Sequence, residues 1–126
     1  MRRYNRSSIS SASWREGGDI RYVNDGGLLF VAADLCRALR YKLNNIGAPN
    51  VTAALLDIRK GEKHLVELEV APGTYSPYSR HIVIDMTMTI QLIARAQRRD
   101  PQDVANEPEL RDWLARIVRR QRTPIA

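Results

Sequence analysis

The sequence has few of the residues that build metal sites and disulfide frameworks. Its 126 residues include one cysteine, Cys36, and two histidines, His64 and His81. A single cysteine excludes an intrachain disulfide, and no Cys/His cluster has the spacing of a zinc site. We therefore expect a domain that folds without cross-links, holds no cofactor and suits a reducing compartment.

Long apolar segments are also missing. No stretch reaches the roughly 18 consecutive apolar residues of a membrane span, and no apolar segment follows the first arginines as it would in a signal peptide. These absences predict a cytoplasmic protein without a membrane role. The remaining composition, 44% hydrophobic and 27% charged over 126 residues, is typical of one soluble domain that can bury its own core.

Positive charge is abundant and unevenly placed. Twenty Lys and Arg residues oppose fourteen Asp and Glu, which gives a net charge of +6, and seventeen of the twenty cations are arginine. Residues 1–22 carry five arginines against two acids, residues 23–91 are balanced, and residues 92–126 carry eight arginines against five acids. Because arginine pairs bidentately with phosphate and carboxylate groups, the excess at both ends predicts an anionic partner.

The N-terminal segment is polar, serine-rich and basic. We expect residues 1–13 to form a flexible basic arm, with the folded domain covering residues 14–126. Two apolar runs then flank the turn sequence Asn24-Asp25-Gly26-Gly27 and predict a β-hairpin over about residues 20–31.

The rest of the chain alternates helical and strand periodicity. Ala32, Leu35, Cys36 and Leu39 lie on one helix face, which makes Cys36 a core residue rather than a reactive thiol. The later pattern predicts a helix over about residues 50–57 capped by Asn50, a long-looped hairpin over about 64–85 and a helix over 87–97. Together these elements predict a small α+β domain in which two hairpins pack with four or five helices.

A long amphipathic helix is predicted near the C-terminus. Asp100-Pro101 and Asn106-Glu107-Pro108 are both typical of helix starts. The apolar residues beyond them recur with the helical period and include Trp113, which we expect in the core rather than as a stacking platform. They are Leu110, Trp113, Leu114, Ile117 and Val118.

Candidates for catalysis are few. His64 and His81 fall on the two strands of the second hairpin, near Glu67, Glu69 and Asp85. Facing histidines with nearby carboxylates would suit a metal hydrolase, but alternation along a strand produces such pairs without any function. We expect no enzyme.

The arginines form a stronger candidate site. The C-terminal helix and its neighbours, joined by the N-terminal arm, would neutralise several phosphates of DNA. An acidic protein partner would suit the same surface, and a merely solvated helix face remains open because Asp112 lies four residues before Arg116. The candidate residues are Arg2, Arg3, Arg6, Arg95, Arg98, Arg99, Arg111, Arg116, Arg119, Arg120 and Arg122.

Several segments resemble a known family. Phe30 to Leu39, FVAADLCRAL, closely resembles the FVAxDVCxAL signature of the BRO N-terminal domain, found in prophage antirepressors and baculovirus repeated-ORF proteins. Leu55 to Lys63 resembles the family's LDxxEK turn, residues 83–93 resemble its strand-to-helix segment, and Leu110 to Leu114 resembles its late FxxWV helix. The resemblance covers about residues 20–121 in the same order.

The resemblance implies a small α+β fold and a regulatory role without catalytic residues. Our first hypothesis is a phage-type, antirepressor-like protein of a bacterial host cytoplasm that binds DNA through its terminal arginine clusters. The second is a protein-binding inhibitor that sequesters a repressor or a host defence complex. A homo-oligomer, such as a dimer, is expected in either case.

Overall fold

A computed structural model describes residues 1–13, 19–39, 41, 45–96 and 107–122. It confirms a small α+β domain, built from one curled six-stranded sheet and, among the described residues, four α-helices. The strands are β1 Arg3–Tyr4, β2 Ser10–Ser13, β3 Asp19–Asn24, β4 Leu28–Val31, β5 Lys63–Glu69 and β6 Tyr78–Ile84. The helices are α1 Ala32–Ala38, α2 Val51–Leu55, α3 Met86–Ala96 and α4 Glu107–Arg122.

Both predicted hairpins are confirmed. In the first, β3 and β4 pair antiparallel around a turn in which Gly26 has a φ of 71°, a conformation that glycine adopts without steric cost. In the second, β5 and β6 pair along their whole length, from Lys63 opposite Ile84 to Glu69 opposite Tyr78. The sheet order is β1-β5-β6-β4-β3-β2, so β6 and β4 join the two hairpins in the middle.

The N-terminal segment corrects the expectation of a flexible arm over residues 1–13. β1 pairs parallel with β5 at one edge of the sheet, and β2 pairs antiparallel with β3 at the other. A short 3₁₀ turn, Arg6–Ser8, links them, and the side chain of Asn5 caps it by accepting from the Ser8 N–H at 3.2 Å. Backbone pairing at a sheet edge needs no apolar side chains, which is why a serine-rich sequence concealed these strands.

Each face of the sheet has its own apolar cluster. The helices cover one face, where Phe30, Ile84 and Leu35 are fully buried. On the other face, six buried residues form a second cluster, and Tyr4 and Ile9 of the N-terminal segment pack against it. An antiparallel sheet commonly leaves one face to water, but here the segment between the two edge strands helps to cover the second face.

The helices begin largely where the sequence predicts. Asn50 caps α2 by accepting from the Ala53 N–H at 3.1 Å.

Asp85 caps α3 by accepting from the Met88 N–H at 2.9 Å, and its second oxygen accepts from the Glu62 N–H at 2.9 Å. Gly61 fits this junction because it has a φ of 93° and a Cβ there would lie 2.6 Å from an Asp85 oxygen. The last helix, α4, begins at Glu107, within the second of its two predicted starts, and Asp100 and Asn106 lie outside the described residues.

Cys36 is buried in α1, as predicted, and the same helix carries a buried charge. Asp34 is 5% exposed and accepts from Arg21 three times: from its backbone N–H at 3.0 Å, from Nε at 2.9 Å and from Nη2 at 3.0 Å. The side-chain hydrogen bonds to Asp34 raise the pKa of the Arg21 guanidinium. Asp34 lies in the first turn of α1, just after β4. Its carboxylate accepts from the backbone N–H of Arg21, which lies in β3 just beyond the last residue pair of β3 and β4.

We predict that Asp34→Ala destabilises the domain by about 2–3 kcal/mol, because it leaves the Arg21 N–H and guanidinium without their acceptor. This figure is below that for a fully buried pair because Arg21 is 29% exposed and partly solvated. Urea denaturation measures the change. As a control, Arg37→Ala removes a longer, 3.5 Å contact to the same Asp34 from a half-exposed side chain, and it should cost less than about 0.5 kcal/mol. Equal losses from the two variants would contradict the assignment.

Candidate nucleic-acid interface

The core-facing side of α4 holds the helix firmly on the domain. Trp113, Leu114 and Ile117 are buried among residues of the helix-covered sheet face. The Trp113 Nε1 also donates to the carbonyl oxygen of Ser13, at the end of edge strand β2, with a length of 3.0 Å. The prediction that Trp113 belongs to the core is confirmed, and its hydrogen bond fixes α4 beside the sheet edge.

Among its described side chains, the outward side of α4 presents four exposed arginines: Arg111, Arg116, Arg119 and Arg120. Successive residues of a helix are rotated by about 100°, so Arg116 and Arg120 share one flank, while Arg111 and Arg119 lie toward the other. Asp112 is the one acid among the described side chains of α4. The arginine face of the predicted helix is therefore exposed as expected, and it has two distinct flanks.

The i, i+4 ion pair that the spacing of Asp112 and Arg116 allows is not formed. Asp112 and Arg116 are both exposed, and no contact within 4 Å joins them. Within the described part of the chain, Arg116 and Arg120 have no ion-pair partner. The guanidinium groups of this flank therefore face solvent.

Two of the three N-terminal arginines pair with acids of the domain. Arg2 pairs with Asp25 at 3.4 Å, and Arg3 pairs with Glu67 at 3.5 Å while its guanidinium lies 4.3 Å from the centre of the Tyr78 ring. Arg6 uses its backbone N–H, which donates to Glu69 at 2.9 Å. Asp25 also accepts from the Tyr4 hydroxyl at 2.8 Å, and burial together with this bond raises the pKa of Tyr4. These contacts hold β1 in place.

Arg95, the last predicted cation of α3 that the structure describes, also has a local role. Its Nη2 lies 2.6 Å from Asp57, and its Nη1 donates to the Ala54 carbonyl oxygen at 3.3 Å. Arg95 therefore ties α3 to α2. Arg98 and Arg99 lie outside the described residues, as does the side chain of Arg122. Of the eleven predicted residues, the structure brings together the four exposed arginines of α4.

An apolar groove beside α4 was not predicted from the sequence. It has a volume of about 460 Å³ and lies between α3 and α4. The sequence feature that indicates such a groove is the width of the apolar stripe on α4, because Val118 extends this stripe beyond the residues that reach the core. The lining residues are Met86, Ile90, Ile93, Arg111, Leu114, Ala115, Val118 and Arg119.

The two histidines do not face each other across the second hairpin. His64 lies opposite Val83, and His81 lies opposite Val66. His64 contacts Glu62 at 3.3 Å, whereas His81 contacts the Ser79 hydroxyl at 2.8 Å. In the described part of the chain, no group of three His, Cys, Asp or Glu side chains is placed to hold a metal ion.

His81 should make the stability of the domain depend on pH. Burial lowers the pKa of its imidazole below the usual value of 6.5, and the nearby Arg21 guanidinium lowers it further. As the pH falls below about 6.5, the unfolded chain takes up a proton before the folded one does, so stability falls. The contribution of neutral His81 to stability is fully present above about pH 6.5 and is lost as the pH falls through the lowered pKa of the folded state.

We predict that His81→Gln loses less stability than the wild type when the pH is lowered from about 7.5 to about 5.5. Urea denaturation at the two pH values measures both losses. Equal losses would show that protonation of His81 does not oppose folding.

Comparison of the chain with family models, with curated proteins and with solved structures finds no match. None of the described helices is long and apolar enough to cross a membrane. The similarity to BRO N-terminal domains therefore stays a resemblance. Its most specific segment, Phe30 to Leu39, spans the end of β4 and all of α1, and its apolar residues are almost entirely buried.

Proposed function

We propose that this protein is a non-enzymatic regulator of antirepressor type that binds DNA through the exposed arginines of α4. The observation that supports this proposal is the composition of the exposed face of α4. Four arginines are exposed there within ten residues, and Asp112 is the only described acid beside them; they are Arg111, Arg116, Arg119 and Arg120. A net charge of +6 adds a long-range attraction to polyanions.

The dimensions of this face suit a nucleic-acid backbone. Arg116 and Arg120 lie about one helical turn apart on the same flank, which corresponds to about 6 Å along the axis of α4. Duplex DNA places phosphates every few ångströms along its length, so one such helix reaches several of them. Because Trp113 anchors α4 in the core and to Ser13, the guanidinium groups are presented from a rigid element.

The flank formed by Arg116 and Arg120 favours phosphate over a protein surface. Stable protein interfaces usually bury apolar or aromatic anchors at their centre. The exposed residues next to this flank on the helix are Asp112 and Arg119, and the neighbouring apolar residues Trp113 and Ile117 are buried. Guanidinium groups whose exposed neighbours are polar are suited to charged, hydrated oxygen atoms such as those of phosphate.

We predict that Arg116→Ala/Arg120→Ala weakens binding of a short DNA duplex by about tenfold or more at low salt and reduces the slope of log affinity against log salt by about 2. Fluorescence anisotropy over a salt series measures both quantities. Wild-type affinity should itself fall steeply with salt, because each neutralised phosphate releases a counterion.

Arg2→Ala/Arg3→Ala is the matched control, because it removes the same charge from two arginines that are already ion-paired. It should weaken binding by less than about threefold and leave the salt slope nearly unchanged. The proposal fails if wild-type protein does not bind duplex DNA at low salt. It also fails if the two double variants lose affinity equally, since net charge rather than α4 would then explain binding.

A further inference from the structure

The groove between α3 and α4 has the character of a docking surface for a helix. Of the eight described residues that line it, six are apolar, and the other two, Arg111 and Arg119, both belong to α4. The groove is open to solvent, since Ile90 on its α3 side is 47% exposed. Isolated exposed apolar residues are ordinary, but an apolar channel between two helices with charged residues beside it marks an interaction site.

The chemistry of the lining does not suit a small polar ligand. Sites for such ligands combine an enclosed cavity with several convergent polar groups that fix orientation. Among the described residues, the polar side chains of this lining are the two arginines, and no buried side-chain nitrogen or oxygen lacks a hydrogen-bond partner. An apolar channel with charged residues on one helix instead matches the way amphipathic helices bind in grooves.

We infer that this groove binds an acidic amphipathic helix of a partner protein. Apolar side chains at i, i+3 or i+4 and i+7 of that helix fill the space between Ile90, Ile93 and Val118. Carboxylates beside this apolar stripe pair with Arg111 and Arg119, which are eight residues apart and therefore separated by about 12 Å along α4. Acidic residues seven or eight positions apart on the partner helix match that separation.

The positive charge beside the groove argues against a second copy of the chain as the occupant of the groove. In a two-fold symmetric dimer the same patch contacts itself. The groove would then bring Arg111 and Arg119 of both copies together between two chains of net charge +6, and like charges at an interface oppose association. The homo-oligomer expected from the sequence stays a prediction, and this groove is not the surface for it.

The probe is a fluorescein-labelled helical peptide of about 18 residues, long enough to form a helix. It carries leucines at i, i+3, i+4 and i+7 and glutamates on both sides of this stripe. One control peptide has lysine in place of glutamate, and a second has alanine in place of leucine. We expect saturable anisotropy with the acidic peptide and at least about tenfold weaker binding of either control.

Variants on the two sides of α4 locate the binding surface. Ala115→Trp fills the groove from an exposed position, and Ile90→Lys places a charge at its exposed α3 side. Each should weaken binding of the acidic peptide by about tenfold or more. Arg111→Glu/Arg119→Glu should weaken it by at least about fivefold, whereas the charge-matched Arg116→Glu/Arg120→Glu on the other flank should change it by less than about twofold at 0.15 M salt.

The same variants separate this inference from DNA binding. Ala115→Trp and Ile90→Lys should leave duplex DNA affinity within about threefold of wild type, because both variants keep all four exposed arginines of α4. Absence of peptide binding, equal binding of the glutamate and lysine peptides, or binding unaffected by both groove variants overturns the inference. So does a dimer, measured by sedimentation, that Ala115→Trp dissociates. A chain ending at Arg122 that binds the acidic peptide more than about tenfold more tightly would identify the chain's own C-terminal residues as the occupant and also overturn it.

Discussion

Both faces of the sheet are apolar, and the need to cover each of them determines how the rest of the chain is used. The helices cover one face, around Phe30 and Ile84. The other face buries Val23, Val66 and Val83, and the segment that runs from one edge strand to the other packs Tyr4 and Ile9 against it. Because uncovered apolar area of this extent would favour association or unfolding, the first residues of the chain belong to the fold.

This use of the N-terminal segment changes the meaning of its arginines. Arg2 and Arg3 contact Asp25 and Glu67 and hold edge strand β1, so their charge is already matched within the domain. Arg95 is matched in the same way by Asp57. Surface ion pairs of this kind contribute little stability individually, but they lower the number of cations that face a partner. Among the described residues, Arg116 and Arg120 of α4 are exposed arginines that no acid matches in this way.

The segment that most resembles the BRO N-terminal domain belongs to the interior. Leu35, Cys36 and Leu39 are fully buried, and Asp34 lies beneath Arg21, where it satisfies a backbone N–H and a guanidinium group at once. These positions describe how a strand leads into a helix and packs on the sheet. A resemblance in such residues bears on the fold, and ligand binding has to be argued from exposed groups such as those of α4.

The sequence by itself determined the elements whose signal is local. Turn residues and alternation located both hairpins, helical spacing located α1 and α4, and the apolar stripe of α4 placed Trp113 in the core, because these patterns depend on neighbours within a few positions. Tertiary structure alone decided which arginines are matched by acids, that residues 1–13 form two edge strands, and that α3 and α4 leave a groove between Ile90 and Val118. Those features depend on contacts between residues far apart in the chain, and periodicity carries no information about which distant partner a side chain or a strand edge will meet.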